Sequence, residues 1–348
     1  MKTSDFDYYL PKEQIAQEPL SKRDASRLMV LDRAQSTLSH RLFTDIPEYF
    51  KSGDVLVFNN SRVIPARLRG YKEKTGAQVE ILLLKRLKDA VWQALVKPAK
   101  RLSLGTKVLL RGYQDSVVKN NTIETEAEIV SKEDDGVCTV CFADESVLTQ
   151  IGAMPLPPYI NTPLSDSERY QTVYAAEEGS VAAPTAGLHF TSELLQKLRQ
   201  KGVQTAFVRL DISLDTFRPV KSENPLQHPI HKENYEISCE SADIINQAKE
   251  NGRTVYCVGT SAARVLEQSA LLNNGRLKSG AGEASLLILP GHKWQIVDSL
   301  ITNFHLPKST LLMLVSSFYS REKILAAYHE AVQESYRFFS FGDAMLLL

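Results

Sequence analysis

The sequence predicts an α/β fold in which a larger α/β domain is interrupted by a small all-β domain. Three observations lead there. Strand-like and helix-like patterns alternate over residues 151–348, the order that builds a sheet covered by helices. Residues 63–150 instead read as short strands with close turns and no helix, which suggests a small barrel or sandwich. The strand-like run Asp54–Asn59 precedes that block yet belongs to the larger pattern. The block at 63–150 is therefore read as inserted, and residues 1–62 and 151–348 as one discontinuous α/β domain. A length of 348 residues fits about two domains.

The elements follow in order. Within the block, Ala77–Leu84, Val91–Val96, Lys107–Leu110, Ile123–Val130 and Val137–Phe142 alternate or are rich in β-branched residues, and glycines punctuate them. Beyond it, Thr191–Lys201 opens with an N-cap Thr, places Leu194, Leu195 and Leu198 on one face, and stops at Gly202. A strand over Val203–Ile212, a helix over Ser241–Glu250, a strand over Thr254–Val258 and a helix over Ser261–Leu272 come next. Ser285–Leu289 reads as a buried apolar strand, and Ser309–Ser317 and Glu322–Tyr336 as helices. The tract Tyr336–Met345 reads, on its own, as a core strand with one buried Asp–Arg pair.

Composition excludes several classes. The chain is 43% hydrophobic and 24% charged, as soluble globular proteins are. No apolar run approaches the roughly 18–20 residues that span a bilayer. The N-terminus, MKTSDFDYYLPKEQ, is polar and acidic where a signal peptide is basic and then apolar. Four cysteines in a chain this long make no disulfide framework. The expectation is a soluble, cytoplasmic protein with no membrane partner.

A net charge of zero hides a local asymmetry. Between Arg62 and Arg111 thirteen basic residues face three acidic ones, and from Tyr113 to Gln150 nine acidic residues face two basic ones. The basic stretch suits a polyphosphate backbone through counterion release. The plainer reading is that the two stretches are neighbouring strands that pair cross-strand.

Metal and nucleotide signatures are weak. Cys138 and Cys141 form a C-x-x-C, but residues three apart on a strand face opposite sides, and no second pair exists. His228, His231, Glu233 and Glu236 match no ligand spacing. Neither phosphate-loop glycine motif occurs, and Gly280-Ala281-Gly282 is read as preceding a strand. No metal and no bound cofactor are expected. Two stretches carry more. Pro184-Thr185-Ala186-Gly187-Leu188-His189-Phe190 precedes the Thr191 helix, where small residues permit close approach of a ligand. Thr302-Asn303-Phe304-His305-Leu306-Pro307 joins a strand to a helix, a place where side chains commonly bind substrate.

Together these stretches resemble the bacterial S-adenosylmethionine:tRNA ribosyltransferase-isomerases of queuosine biosynthesis, from end to end. The matching motifs include Phe58 to Arg67, Met154 to Ile160, Arg169 to Ala175, Val181 to Phe190, Thr216 to Val220, His231-x-Glu233-x-Tyr235, Thr302 to Leu314 and Tyr336 to Met345. The resemblance implies an α/β domain carrying an inserted β-barrel. It also implies transfer and isomerisation of the ribosyl group of S-adenosylmethionine, a substrate here rather than a cofactor. The acceptor would be 7-aminomethyl-7-deazaguanine at the wobble position of a tRNA with a GUN-type anticodon, and the product epoxyqueuosine, with adenine and methionine leaving. A monomer is expected.

That chemistry needs a general base near the ribose carbon beside the sulfonium, and a donor near the adenine. His305, His189, Glu233 and Asp343 are the catalytic candidates. Arg62, Thr185, Gly187, Phe190, Arg218, Arg264, Asn303, Phe304 and Arg337 are the substrate-binding candidates, and Arg67, Lys97, Lys100 and Arg101 those for tRNA. Two departures from the family pattern stand out. Leu210-Asp211-Ile212-Ser213-Leu214-Asp215-Thr216-Phe217 replaces L-H-V-G-x-G-T-F, and Gly259-Thr260-Ser261-Ala262-Ala263-Arg264 replaces G-T-T-S-V-R. They ground a second reading, a tRNA-binding relative with lost or altered catalysis. A Ser/His hydrolase is disfavoured, since no G-x-S-x-G elbow is present.

Overall fold

Two β systems organise the chain in a computed structural model that describes every residue except 113–122, 134–135, 214–219, 221 and 231. In chain order the first strands are β1 (Arg27–Asp32), β2 (Thr37–Leu42), β3 (Val55–Asn59), β4 (Ser61–Val63) and β5 (Arg67–Lys72). There follow β6 (Gln78–Lys88), β7 (Val91–Lys97), β8 (Lys107–Arg111), β9 (Glu124–Lys132), β10 (Val137–Phe142) and a short helix, α1 (Leu148–Ile151). The chain continues with β11 (Glu177–Ser180), α2 (Ser192–Gln200), β12 (Gln204–Leu210), β13 (Glu233–Ile237), α3 (Cys239–Glu250) and β14 (Val255–Val258). It ends with α4 (Thr260–Leu272), β15 (Gly280–Ala284), β16 (Ser299–Asn303), α5 (Thr310–Phe318), α6 (Arg321–Gln333) and β17 (Ala344–Leu347).

A nine-stranded sheet in the order β15-β13-β12-β3-β14-β16-β17-β1-β2 frames the larger unit, which comprises Met1–Arg62, Pro157–Glu177 and Ala183–Leu348. Its centre, β12-β3-β14-β16, is parallel, and its inner strands β3 and β14 read as near-continuous apolar sequence, as strands covered on both faces do. The second unit, Val63–Leu156 with Glu178–Ala182, contains a closed antiparallel barrel in the order β10-β7-β6-β5-β8-β9. Here burial alternates along each strand, and Cys138 is buried while Cys141 is half-exposed.

Local chemistry sets the helix starts. Thr191 Oγ1 accepts from the Leu194 N–H at 3.1 Å, and Leu194, Leu195 and Leu198 pack into a core with Phe43, Phe58 and Phe190. Ser238, Ser309 and Ser320 cap α3, α5 and α6 in the same way. α4 differs, because Gly259 at φ +86° turns the chain directly from β14 into the helix, a conformation that favours glycine.

Some expected elements are corrected. Ser285–Leu289 is not a strand. The edge strand is the preceding Gly280–Ala284, paired to β13, so Gly280-Ala281-Gly282 lies within it. Its small residues fit beneath Tyr235, since a Cβ on Gly282 would sit 2.8 Å from that ring. The apolar signal of 285–289 belongs to an irregular segment in which Ile288 is buried and Ser285 exposed. The last helix ends at Gln333, where Ser335 takes φ +54° and the Tyr336 N–H closes on the Ala331 carbonyl. In the C-terminal tract only Ala344–Leu347 is a strand. Asp343 is buried, but its carboxylate accepts main-chain N–H groups of Arg27 and Arg337, each at 2.8 Å, and makes no ion pair among the described residues.

Candidate active site

Because β12, β3, β14 and β16 are parallel, their carboxyl ends share one edge of the sheet, where α/β folds bind ligands. A cavity of about 600 Å³, partly open to solvent, lies there. Leu210 and Ile212 enter it from the end of β12, Thr260, Ser261 and Arg264 from the start of α4, and Thr302 to His305 from the end of β16. Glu233 enters from the start of β13, which runs antiparallel to β12. Phe339 closes one wall at φ +73°, a conformation that costs a bulky residue about 1–3 kcal/mol and that clusters at functional sites. Its N–H bonds to the Phe304 carbonyl at 3.1 Å and its ring packs on Tyr159.

Three polar systems furnish the cavity. The first is a buried ion pair between Glu233 and Arg264, whose side chains are 2% and 11% exposed. Glu233 Oε1 also accepts from the Ser213 N–H at 2.8 Å, and Arg264 Nε donates to the Leu286 carbonyl at 3.2 Å. The second is His305. Its main-chain N–H donates to the Tyr328 hydroxyl at 3.0 Å, its carbonyl accepts from Tyr8 Oη at 2.5 Å, and its Nε2 lies 2.9 Å from Thr302 Oγ1. Nδ1 has no hydrogen-bond partner among the described residues. Burial pushes the imidazole pKa down to about 3, so the ring is neutral.

The third is a relay behind the wall. Thr185 Oγ1 donates to Asn303 Oδ1 at 2.9 Å, and Asn303 Nδ2 donates to His189 Nε2 at 3.1 Å. His189 is also held neutral, its pKa pushed down to about 3 by burial and by the charges of Arg337 and Arg23. With Nε2 accepting, its single proton sits on Nδ1 and is donated to Ser26 Oγ at 2.8 Å.

The predicted site residues therefore divide. His305, Glu233, Thr185, Arg264, Asn303 and Phe304 line the cavity together. His189 stands behind Asn303 with both ring nitrogens engaged, stacked on Phe43. Asp343 ties the C-terminal tract to β1, and burial raises its pKa against the pull of its two N–H donors. Gly187 serves packing, since a Cβ there would lie 1.9 Å from the Tyr174 hydroxyl. Phe190 is fully buried between Phe43 and Phe58. Arg62 pairs with Glu168 at 2.5 Å, and Arg337 donates to the Glu18 carbonyl. Arg218 and His231 lie outside the described residues. Thr302, Ser261, Tyr159 and Ser340 also line the cavity and were not singled out. All four sit inside the stretches compared with the family pattern, yet a hydroxyl carries no spacing signal that separates a ligand contact from a cap.

In the barrel unit, cross-strand pairing consumes much of the basic stretch. Lys107 pairs with Glu126, Arg111 with Glu124, and Arg86 with Glu145, each at 2.7 Å. Arg67 is engaged too, with Glu80 at 3.1 Å and the Leu156 carbonyl at 3.2 Å. Lys97, Lys100 and Arg101 stay exposed on one turn. Lys72 and Lys132 reach the same turn, donating to the carbonyls of Arg101 and Ala99.

The sequence profile of the family described as queuosine biosynthesis protein matches residues 3–347. The chain belongs to the queuosine biosynthesis protein family. Two relatives, from Dehalococcoides mccartyi (strain CBDB1) and Clostridioides difficile (strain 630), are 53% and 52% identical to it, with both chains covered in full. Both are named S-adenosylmethionine:tRNA ribosyltransferase-isomerase. The crystal structure of S-adenosylmethionine tRNA ribosyltransferase from Thermotoga maritima is 37% identical and superposes with a TM-score of 0.57, covering 99% of this chain and 100% of that one.

Against the family pattern, the departure at Asp211 is compensated locally. Arg209 Nε and Nη2 hold its carboxylate at 2.9 and 3.0 Å, while Leu210 and Ile212 face the cavity on either side. The Asp211 carboxylate is thus engaged by Arg209. Asp215 lies outside the described residues.

The two neutral histidines make this family member sensitive to acid. As pH falls through about 6.5 the unfolded chain takes up both protons, whereas the folded chain does so only near 3. Stability is therefore complete above about 6.5 and declines below it, by about 1.4 kcal/mol per pH unit for each histidine. Urea unfolding between about pH 7 and pH 5, above the carboxylate range, should show that decline, and His305→Gln should remove one proton's worth of the slope.

Proposed function

We propose that the chain transfers and isomerises the ribosyl group of S-adenosylmethionine onto 7-aminomethyl-7-deazaguanine at the wobble position of a tRNA with a GUN-type anticodon. The product is epoxyqueuosine in the tRNA, with adenine and methionine released. Family membership supports the reaction class, since full-length relatives carry the ribosyltransferase-isomerase name. One observation supports the site: the cavity sets a buried Arg264–Glu233 pair and a neutral His305, with Nδ1 unpartnered among the described residues, at the carboxyl edge of the sheet.

The charge pattern fits the donor. The amino-acid end of S-adenosylmethionine carries one carboxylate and one ammonium, and Arg264 with Glu233 presents the complement of each. The sulfonium acidifies the adjacent ribose carbon, so the reaction begins when a base takes a proton there. In this reading His305 Nδ1 is that base, kept neutral by burial, with Thr302 fixing the ring. Asn303 and Thr185, tied to each other and to His189, form a rigid polar wall for the ribose or adenine. His189 is then a positioning residue, and Asp343 a structural one. The turn bearing Lys97, Lys100 and Arg101 is read as an RNA contact, whereas Arg67 is spent on Glu80.

Incubation with S-adenosylmethionine tests the reading. Adenine and methionine should appear in equal amounts, and only when tRNA carrying the deazaguanine is present. A protein that binds the RNA and releases neither is the non-catalytic relative.

A further inference from the structure

We propose that the α/β unit holds an oxyanion site, distinct from the cavity above, that takes a phosphodiester of bound RNA. It rests on the reading that this protein binds RNA. A second hollow of about 300 Å³ is lined by Arg23, Arg169, Ser26, His189 and Ser340, with Ser340 as a wall common to both cavities. Arg23 comes from the turn Arg23–Ala25 and Arg169 from the turn Ser167–Tyr170, and a third arginine, Arg337, is close enough for its charge to act on His189 as Arg23 does.

These guanidiniums are held by carbonyls. Arg23 donates to the carbonyls of Glu168 at 2.8 Å and Leu188 at 3.3 Å, Arg169 to those of Leu20 at 2.5 Å and Ser21 at 3.3 Å, and Arg337 to that of Glu18. None of the three forms an ion pair among the described residues. Of the carboxylates whose charge acts on Arg23 or Arg337, Glu168 pairs with Arg62, Asp166 accepts the Glu168 N–H, Asp343 accepts two main-chain N–H groups, and Glu18 is exposed. Moreover, Arg169 Nε and Arg337 Nη1 are buried without a hydrogen-bond partner among the described residues.

Fixed cations that repel one another, with no direct ion pair among the described residues and with orphaned donors, are unfavourable unless an anion completes them. Burial and the charge of Arg169 lower the Arg23 pKa against the opposing charges of Asp166 and Glu168, in keeping with that repulsion. Guanidinium forks match the tetrahedral oxygens of phosphate. The donor carboxylate already has Arg264 in the other cavity, which leaves the RNA backbone as the source. The chain Ser26–His189–Asn303–Thr185 would then connect a bound phosphate to the wall of the first cavity.

Binding of tRNA by fluorescence anisotropy across a salt series tests the site, using wild type, Arg23→Gln, Arg169→Gln and the charge-keeping Arg169→Lys. Each Gln variant should lower the slope of log K against log salt by about 0.7–0.9. Arg169→Lys should keep most of the slope and lose affinity, and S-adenosylmethionine affinity should hold in all. An unchanged slope in both Gln variants overturns the site. Lost S-adenosylmethionine affinity with an intact slope also overturns it, by assigning the arginines to the donor carboxylate. If wild type neither binds tRNA nor turns over, the functional reading has failed separately, and inorganic phosphate becomes the probe. At constant ionic strength phosphate should then raise the melting temperature of wild type and not of the Arg23→Gln/Arg169→Gln double variant. An equal response in the two sinks the proposal.

Discussion

Replacing His305 by Ala should lower kcat by about 10²–10⁴-fold, the contribution of a positioned general base. The binding constant for S-adenosylmethionine should move little, because the charged end of the donor is assigned to Arg264 and Glu233. The side chain is buried and its backbone is fixed by Tyr8 and Tyr328 independently of the ring, so the variant should fold. His305→Gln retains volume and the contact to Thr302 without a basic nitrogen, and it should fail as fully as Ala. Thr302→Val should give a milder loss, since it frees the ring without removing it. Wild-type turnover in a folded His305→Ala protein would remove the imidazole from the mechanism.

Replacing Glu233 by Ala should destabilise the protein by about 3–5 kcal/mol, the cost of leaving one charge of a buried pair without its partner. Among the described residues Arg264 would keep only the Leu286 carbonyl, and the Ser213 N–H would lose its acceptor. Turnover should fall with stability. A double variant, Glu233→Leu with Arg264→Met, separates the two effects, because replacing both charges by apolar groups of similar size is often neutral or stabilising. Urea unfolding should show stability regained in the double variant, while calorimetry shows S-adenosylmethionine binding still lost. Regained binding along with regained stability would mean that the pair only holds the fold together.

The frame of the fold was legible because hydrophobic period, caps and glycine stops agree locally. Thr191, Gly202 and the leucines between them marked α2 within a residue at each end, and Val137–Phe142 matched β10. Ser285–Leu289 misled because apolar density stood in for strand character, while the true edge strand, Gly280–Ala284, carries no apolar signal and depends on Tyr235 for its packing. In the site, sequence identified residue types near strand ends but not which way they point. His189 and His305 look alike in sequence, yet only His305 lines the first cavity. Phe190 and Gly187 sit in a motif rich in small residues and prove to be core. The basic stretch of 62–111 was legible as charge, and so was its cross-strand pairing, but which acid meets which base depends on the β8–β9 register.

Isotope tracing tests the central claim most directly, since S-adenosylmethionine most often serves as a methyl donor and ribosyl transfer must be told apart from that. The protein would be incubated with tRNA carrying 7-aminomethyl-7-deazaguanine and with S-adenosylmethionine labelled with ¹³C either in the ribose or in the methyl group, and the nucleosides analysed by mass. Label from the ribose should enter the modified nucleoside in full, while the methyl label leaves with methionine. Methyl label in the RNA, or no label from either donor, would contradict the assignment of this cavity to ribosyl transfer.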